Sequence, residues 1–431
     1  MSGATLLLCH RLPFPPNKGD KIRSYALLKH LAARGPVHLA CFIDDPEDLA
    51  HRDEVRRLAG GKCLFVPVGR AAKLWRALQA LLSGQPITLA VFGSRLVSRW
   101  LQELFATEKI ENFVVFGSAM APYLLGDATR CSRTLFDMVD VDSDKWRQYA
   151  AASSGALRWL YAREARTLLA LETKAAQAFG RTLLVSPFEA RTFAALAPHS
   201  AEKIAALSNG VDLTYYSPGK LPSPFPPDAQ AIVMTGRMDY RPNVDGAIWF
   251  AKQVAPLVFA KLPSAHVYFV GAHPPAALRR LQDARITVTG AVDDIRPYIQ
   301  SACAVVAPLL IARGVQNKVL EAMAMTKPVV ATAQATRALD VKAGVDLWIE
   351  NEPARFADAV VTAIESPLRH EVMQNARTYV EQHHDWQQIF VGLDQLLERL
   401  AQSTSARDRL TERLRGVTAR RFESDVSGAQ A

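Results

Sequence analysis

Residues 313–332 read RGVQNKVLEAMAMTKPVVAT, and this stretch decides the fold. A basic loop with Arg313, Gly314 and Lys318 runs into a short helical pattern carrying a single acid, Glu321. Lys327 and Pro328 end it, and the apolar run Val329 to Ala331 follows. The order is loop, short helix, buried strand. A helix N-terminus presents free backbone N–H groups, and beside a lysine it suits an anion such as a diphosphate. A carboxylate can only accept hydrogen bonds, so Glu321 in that electropositive mouth suits hydroxyl groups. A diphosphate together with sugar hydroxyls describes a nucleotide-sugar.

Outward from this stretch, short apolar runs alternate with amphipathic ones along most of the chain. Thr5–Cys9, Val37–Ile43, Lys62–Val66, Asn112–Phe116, Thr134–Met138 and Thr182–Ser186 are expected strands, with helical segments such as Ser24–Ala33 and Lys73–Leu82 between them. The alternation predicts a parallel sheet covered by helices. A Pro-rich stretch, GKLPSPFPPD at Gly219–Asp228, then reads as an interdomain linker. The pattern restarts beyond it at Ala231–Thr235, His266–Val270, Ile286–Thr289, Ala304–Ala307 and Val329–Ala331. The expected organisation is an N-terminal domain over 1–215, a linker over 216–228, a second domain over 229–380, a C-terminal helix over 381–400 and a frayed or disordered tail over 401–431. Two such α/β halves would place a ligand cleft between them.

With 431 residues, 49% hydrophobic and 22% charged, the chain can bury two ordinary cores. Its net charge of +9 is uneven: residues 1–215 hold 27 basic against 20 acidic residues, and the rest 24 against 22. The N-terminal excess reads either as a solvated basic face or as attraction to anionic lipid headgroups or a phosphorylated acceptor. No recognition motif accompanies it, so nucleic acid is not an expected partner. Cys9, Cys41, Cys63, Cys131 and Cys303 are scattered, without CxxC spacing, as in a reduced cytoplasmic protein. No basic leader precedes the first strand, and no apolar run approaches the ~20 residues that span a bilayer. Any membrane contact is therefore expected to be peripheral.

Other motifs surround these. After the first strand, HRLPFPPNKGDKIRSYALLKHLAARG places Gly19 in a loop that two prolines keep out of helix, with Lys18, Lys21 and Arg23 nearby. Arg237, in AIVMTGRMDYRPNVDGAIWF, leaves a strand's carboxyl end and can grip phosphate oxygens with its planar fork. Arg241 is a weaker second candidate, and Asn243 is a candidate N-cap. Asn209 in SNGVD marks a turn. Gly290 follows a strand in VTGAVDDIRPYI, where Asp293 and Asp294 either cap the next helix or leave the loop backbone to meet a base. LFDMVDVDSDKW holds Asp137, Asp140, Asp142 and Asp144, but lacks the spacing of an EF-hand. Asp137 and Asp140 are read as binding an acceptor hydroxyl, acting as a base, or capping a helix. Trp146 to Ala178 reads as one long aromatic-rich helical region, its rings packed on the sheet or partly exposed toward lipid. The adjacent His383 and His384 would not share a helix face, so they are not read as a metal site.

Taken together, these motifs resemble the retaining glycosyltransferases of family 4, with the GT-B fold of two Rossmann-like domains facing each other across a cleft. The resemblance runs to about residue 400. A narrower likeness, to the PEP-CTERM/exosortase-associated exopolysaccharide sugar transferases, rests on the N-terminal block, FDMVDVDSDKW and IARGVQNKVLEAMA. The resemblance implies that Glu321, as the second Glu of an E-x7-E motif, holds the nucleotide ribose. It implies that Arg237 grips the diphosphate and that Gly19 lies near the donor phosphates. The sequence departs from the family at three points. Arg313 stands where the first Glu of E-x7-E is usual, and Val139 where a His is often found. The diphosphate Lys is missing near Pro242 and Asn243, a charge Lys318 could supply.

The implied activity is transfer of a sugar from a UDP- or GDP-sugar to a glycan or polyprenyl-diphosphate-linked acceptor, with Arg237, Lys318 and Asp140 as catalytic residues. Gly19, Asp137, Asn209, Asn243, Gly290, Arg313, Gly314 and Glu321 are the expected substrate-binding set. No metal and no cofactor beyond the donor substrate are expected. The expected location is cytoplasmic, with peripheral contact at the inner membrane face. Two rival readings are a non-catalytic nucleotide-sugar-binding scaffold and a nucleotide-sugar 2-epimerase. A dinucleotide-dependent oxidoreductase is disfavoured, because no GxGxxG follows a strand.

Overall fold

The computed structural model describes residues 3–312 and 314–402. The chain divides into two compact units. The first comprises Met1–Leu183, Phe193–Ala205 and the residues from Val391 on; the second comprises Leu184–Thr192 and Ala206–Phe390.

Among the described residues the first sheet has seven strands: β1 (Ala4–Cys9), β2 (Val37–Ile43), β3 (Gly60–Pro67), β4 (Ile110–Phe116), β5 (Thr134–Val139), β6 (Arg181–Leu184) and β7 (Ile204–Ala206). Their order is β3-β2-β1-β4-β5-β6-β7. The second sheet has six: β8 (Gln230–Thr235), β9 (Ala265–Val270), β10 (Ile286–Gly290), β11 (Ala304–Ala307), β12 (Val329–Ala331) and β13 (Trp348–Ile349), in the order β10-β9-β8-β11-β12-β13. The registered pairs are parallel, for example Leu7 with Leu39 and with Val114, and Val233 with Tyr268. In both sheets the order reverses beside the first strand, β1 or β8. That is the switch point whose carboxyl ends hold ligands in such sheets. Central strands are covered on both faces, which is why β1, β2, β4, β8 and β11 read as near-continuous apolar runs.

Seven helices matter below: α1 (Gly19–Ala32), α2 (Arg70–Ser83), α3 (Asp142–Ala151), α4 (Gly155–Ala178), α5 (Arg241–Trp249), α6 (Asn317–Ala324) and α7 (386–402). The region expected as one helix from Trp146 is two, α3 and α4. The chain breaks at Ala152–Ser154, and Gly155 follows with φ of 57°. Trp146, Tyr149 and Tyr161 close over this break with ring centroids 5.4–6.0 Å apart, packing on one another. The expected linker, 216–228, lies within the second unit, where Phe225 is buried against Tyr268 and Tyr298. Two short strands, β7 and β13, had too few residues to stand out in the sequence. Of the tail expected over 401–431, the residues from 403 on lie outside the described residues. Among the described residues no helix is long and apolar enough to cross a membrane.

Candidate donor-binding site

In the second unit, three glycines end three neighbouring strands and leave bare backbone there. The Gly236 N–H donates to the Val270 carbonyl at 3.1 Å, and the Gly271 N–H to the Gly290 carbonyl at 3.2 Å. A Cβ on Gly271 would fall 1.8 Å from the Gly236 oxygen, so no side chain fits. A Cβ on Gly236 would fall 2.9 Å from the Lys318 Nζ and from the Asn243 Nδ2. The missing side chain is therefore what lets an ammonium and an amide reach the end of β8. Gly290, with φ of 77°, has open space on its own side. Beside it, His273, Arg279, Gln282 and Thr289 line an open depression of about 690 Å³.

Helix α6 supplies the side chains that meet this floor. Lys318 is buried and donates to the Asn243 Oδ1 at 2.5 Å; the Asn243 Nδ2 in turn donates to the Arg237 carbonyl at 2.8 Å. Asn243 is thus not the N-cap of α5, a position Tyr240 takes, but a buried bridge from the β8 end to α6. Burial pulls the Lys318 ammonium down to about 8, partly offset by Glu321. One turn along α6, burial pushes the Glu321 carboxyl up to about 7, against a hydrogen bond from Tyr216 and the charge of Lys318. Burial and the neighbouring Glu321 push the Tyr216 phenol well above its ordinary range. At the start of α6, the Asn209 Nδ2 donates to the Asn317 Oδ1 at 3.3 Å. One short helix thereby touches three separated segments of the chain.

Arg237 stands beside this group, but its fork holds Asp239 at 3.0 and 2.7 Å. That hydrogen bond and charge keep the Asp239 carboxyl below its usual range. Gly314, with φ of 61°, lines a small hollow with Phe188, Gln334 and Arg337. Arg313 lies outside the described residues. Of the other acid pair, Asp294 accepts the Arg296 N–H at 2.9 Å and holds the Arg296 guanidinium at 2.7–3.0 Å, while the N-cap of the helix that follows is Ile295.

The remaining candidates belong to the first unit. Gly19 is the first residue of α1, with open space where a side chain would go. Lys21 and Arg23 are not free to meet a phosphate: Lys21 pairs with Asp48 at 2.6 Å and Arg23 with Asp137 at 2.8 Å, and all four are buried. Asp137, expected at the surface of a cleft, is instead the inner partner of Arg23. Asp142 pairs with Lys145, and Asp144 with Arg147, so local cations account for two of the four aspartates. Val139, just before Asp140, has φ of 68°, an unusual backbone for a β-branched residue.

Sequence reasoning missed Tyr216 and assigned no role to His384. The His384 Nδ1 lies 2.8 Å from the Asn209 carbonyl, and burial pulls the imidazole down to about 4. A neutral ring can donate there and clamp the SNGVD turn, which fits beside Trp386 because residue 210 is glycine.

Bare backbone, a buried ammonium and a buried carboxyl within one turn of each other suit a ligand with an anionic part and hydroxyl groups. Residues 229–366, which contain the three glycines, Lys318 and Glu321 but not Asn209, Tyr216 or His384, match the family model described as glycosyl transferases group 1. They form a glycosyltransferase domain. Solved structures resemble the whole described chain. Sucrose-phosphate synthase from Thermosynechococcus elongatus is 17% identical, with a TM-score of 0.68, over 93% of this chain and 100% of its own. HepE of Anabaena in complex with UDP-glucose is 15% identical, with a TM-score of 0.63, over 93% and 99%. WaaG, a glycosyltransferase involved in lipopolysaccharide biosynthesis, is 17% identical, with a TM-score of 0.61, over 92% and 98%. These likenesses show the fold, which is GT-B, built from two Rossmann-like units. A Klebsiella pneumoniae protein described as an uncharacterized 44.6 kDa protein in the cps region is 21% identical over 173 residues. That match takes in 38% of this chain and 44% of the relative, so the chain spans under half the length of the curated relative it matches.

Proposed function

We propose that the protein is a retaining glycosyltransferase that moves a sugar from a UDP- or GDP-sugar to a glycan or polyprenyl-diphosphate-linked glycan in exopolysaccharide biosynthesis. The observation that carries the reading is Lys318, a buried ammonium aimed at the glycine end of β8 and held there by an amide. The glycosyltransferase domain supports the chemistry. HepE was solved with UDP-glucose and with UDP, which supports the donor class. The cps-region relative and the PEP-CTERM/exosortase likeness support the exopolysaccharide role.

In this reading the diphosphate lies over the side-chain-free ends of β8 and β9, within reach of Lys318, and Glu321 exchanges its Tyr216 hydrogen bond for the ribose hydroxyls. Arg237 exchanges Asp239 for a phosphate oxygen. The acceptor hydroxyl oxygen bonds to the anomeric carbon on the face from which the carbon–diphosphate bond breaks. Its proton passes to a phosphate oxygen of the departing nucleotide, leaving UDP or GDP and the glycoside. Lys318 and Arg237 meet the charge that grows on the leaving group, so the reading needs no metal and no further cofactor. The acceptor would bind through the first unit near Asp140, at the cytoplasmic face of the membrane that bears its lipid.

A thermal-shift screen against UDP-, GDP-, ADP- and dTDP-sugars tests the donor site. A ligand at ~100 times its dissociation constant stabilises by about 2.7 kcal/mol. Wild type should shift with a UDP- or GDP-sugar, and Glu321→Ala should not. No shift with any donor overturns the reading. Binding without transfer to any glycan or lipid-linked acceptor makes the protein a scaffold instead. Conversion of the donor sugar without an acceptor makes it an epimerase. The anomeric configuration of the product, read by NMR, tests retention.

A further inference from the structure

Helix α2 is inside out. Its inward side carries Ala80, which is buried, and Arg76, whose guanidinium donates to the Val91 carbonyl at 2.8 Å. Its outward side carries Leu74, Trp75, Leu78 and Leu82, of which Leu74 is 76%, Trp75 62% and Leu82 83% exposed. These positions fall at i, i+1, i+4 and i+8, so they form one stripe along the helix. An apolar stripe on a surface helix normally faces the core, and a large exposed one marks an interaction surface. The patch does not end with α2. Arg163 of α4 donates to the carbonyls of Ala80 and Gln85 at 2.7 and 3.0 Å, tying the C-terminal end of α2 to α4. One turn before Arg163 is Trp159, 64% exposed, with the exposed Leu157 two residues earlier.

The sequence around this patch is rich in basic residues, several of which meet carboxylates from outside it: Lys73 pairs with Asp44 at 3.3 Å, Lys62 with Glu108 at 2.8 Å, and Arg163 lies 3.9 Å from Glu164. From Val55 to Gln102 there are 48 residues with eight Lys or Arg and no Asp or Glu. From Lys145 to Arg163, four more basic residues occur without an acid. An apolar stripe with tryptophan, flanked by an excess of basic residues, has the chemistry of a helix lying in the interface of an anionic bilayer. A second copy of this chain would set basic stretch against basic stretch, a like-charge juxtaposition that disfavours association.

We infer that α2, with the start of α4, is the surface through which this protein lies on an anionic lipid bilayer. The inference deepens the membrane-side reading of the acceptor given above, but it stands on the first unit's own surface, and its test needs no sugar transfer. The full chain is spun with vesicles of phosphatidylcholine alone and of phosphatidylcholine with 30% phosphatidylglycerol, at low and high salt. Binding to the anionic vesicles should exceed binding to the neutral ones at least tenfold and weaken with salt. The variant Leu74→Gln/Trp75→Gln/Leu82→Gln should lose it about tenfold with an unchanged thermal melt. Brominated lipid should quench part of the tryptophan fluorescence, and Trp75→Phe should reduce that part and leave the share of Trp159, a readout that survives if the triple variant folds poorly. Equal binding by wild type and variant overturns the inference. So does a dimer in light scattering that the triple variant abolishes while neither protein binds vesicles.

Discussion

Arg23 in the first unit and Lys318 in the second are both buried basic side chains held by a short hydrogen bond. Arg23 meets a carboxylate, Asp137, at 2.8 Å; Lys318 meets an amide, Asn243, at 2.5 Å. The first unit repeats its pattern at Lys21 with Asp48, and at Arg11 with Asp20 and Asp44. The second repeats its own at Glu321, whose hydrogen bond comes from a phenol. Lys318 and Glu321 feel each other's charge, yet each is hydrogen-bonded by a neutral group, and a buried charge so partnered is costly. The comparison separates basic groups held by carboxylates from one held by an amide, which residue type and spacing alone do not.

The sharpest way to break this contrast is at Asp137. Asp137→Ala leaves the Arg23 guanidinium buried without its carboxylate and should cost about 3–5 kcal/mol of unfolding free energy in denaturant titration. Arg23→Met/Asp137→Leu should recover most of it. A loss under about 1 kcal/mol would show that the pair does not hold the unit. Lys318→Met should behave in the opposite way. It should lower transfer by about 10²–10³-fold in steady-state kinetics, while the unfolding free energy of the unliganded protein changes by no more than about 1 kcal/mol. A large loss of stability there would make Lys318 another structural cation.

The pH dependence sharpens the same point. The folded-state value for Glu321, about 7, lies above its ordinary value, so the native state holds a proton that the unfolded chain releases. Stability is therefore fullest at low pH on this account and falls as pH rises toward 7. The Lys318 value of about 8 lies below its ordinary one, so the unfolded chain holds the extra proton and stability recovers as pH rises from 8. The second unit should be least stable between pH 7 and 8. Glu321→Gln should raise stability in that window by about 1–3 kcal/mol and flatten the fall on its acid side. Chemical melts across pH 4–10 check this, and an unaltered profile in the variant would place the titrating group elsewhere. The smallest effect is at Val139. Val139→Gly should relieve the positive φ and stabilise the first unit by about 1 kcal/mol in a thermal melt. Destabilisation would mean that the valine's packing outweighs its backbone.

Most strands were legible because buried parallel strands are short apolar runs between helical ones. Val37–Ile43, Ala304–Ala307 and Val329–Ala331 stand as read. Lys318 was singled out because no lysine stands near Pro242 and Asn243, and its ammonium does lie against Asn243. Lys21 and Arg23 were misleading because their partners, Asp48 and Asp137, lie 27 and 114 residues away. Tyr216 left no signal, because a tyrosine after SNGVD has nothing local to tie it to Glu321. The break before α4 did leave one: Ser153, Ser154 and Gly155 are turn residues inside a helical pattern.

The glycine floor also sets what can be changed by selection. A library randomised at positions 236, 271, 279, 282 and 289, and selected for a new donor, should return varied residues at the last three. It should return glycine at 271 whatever sugar is chosen, because any Cβ there falls 1.8 Å from the main-chain oxygen of residue 236, and at 236 because its φ of 141° strains every other residue and the Lys318 and Asn243 side chains stand 2.9 Å away. On the proposed reading, such a scaffold can change its substrate without renegotiating the geometry beneath it.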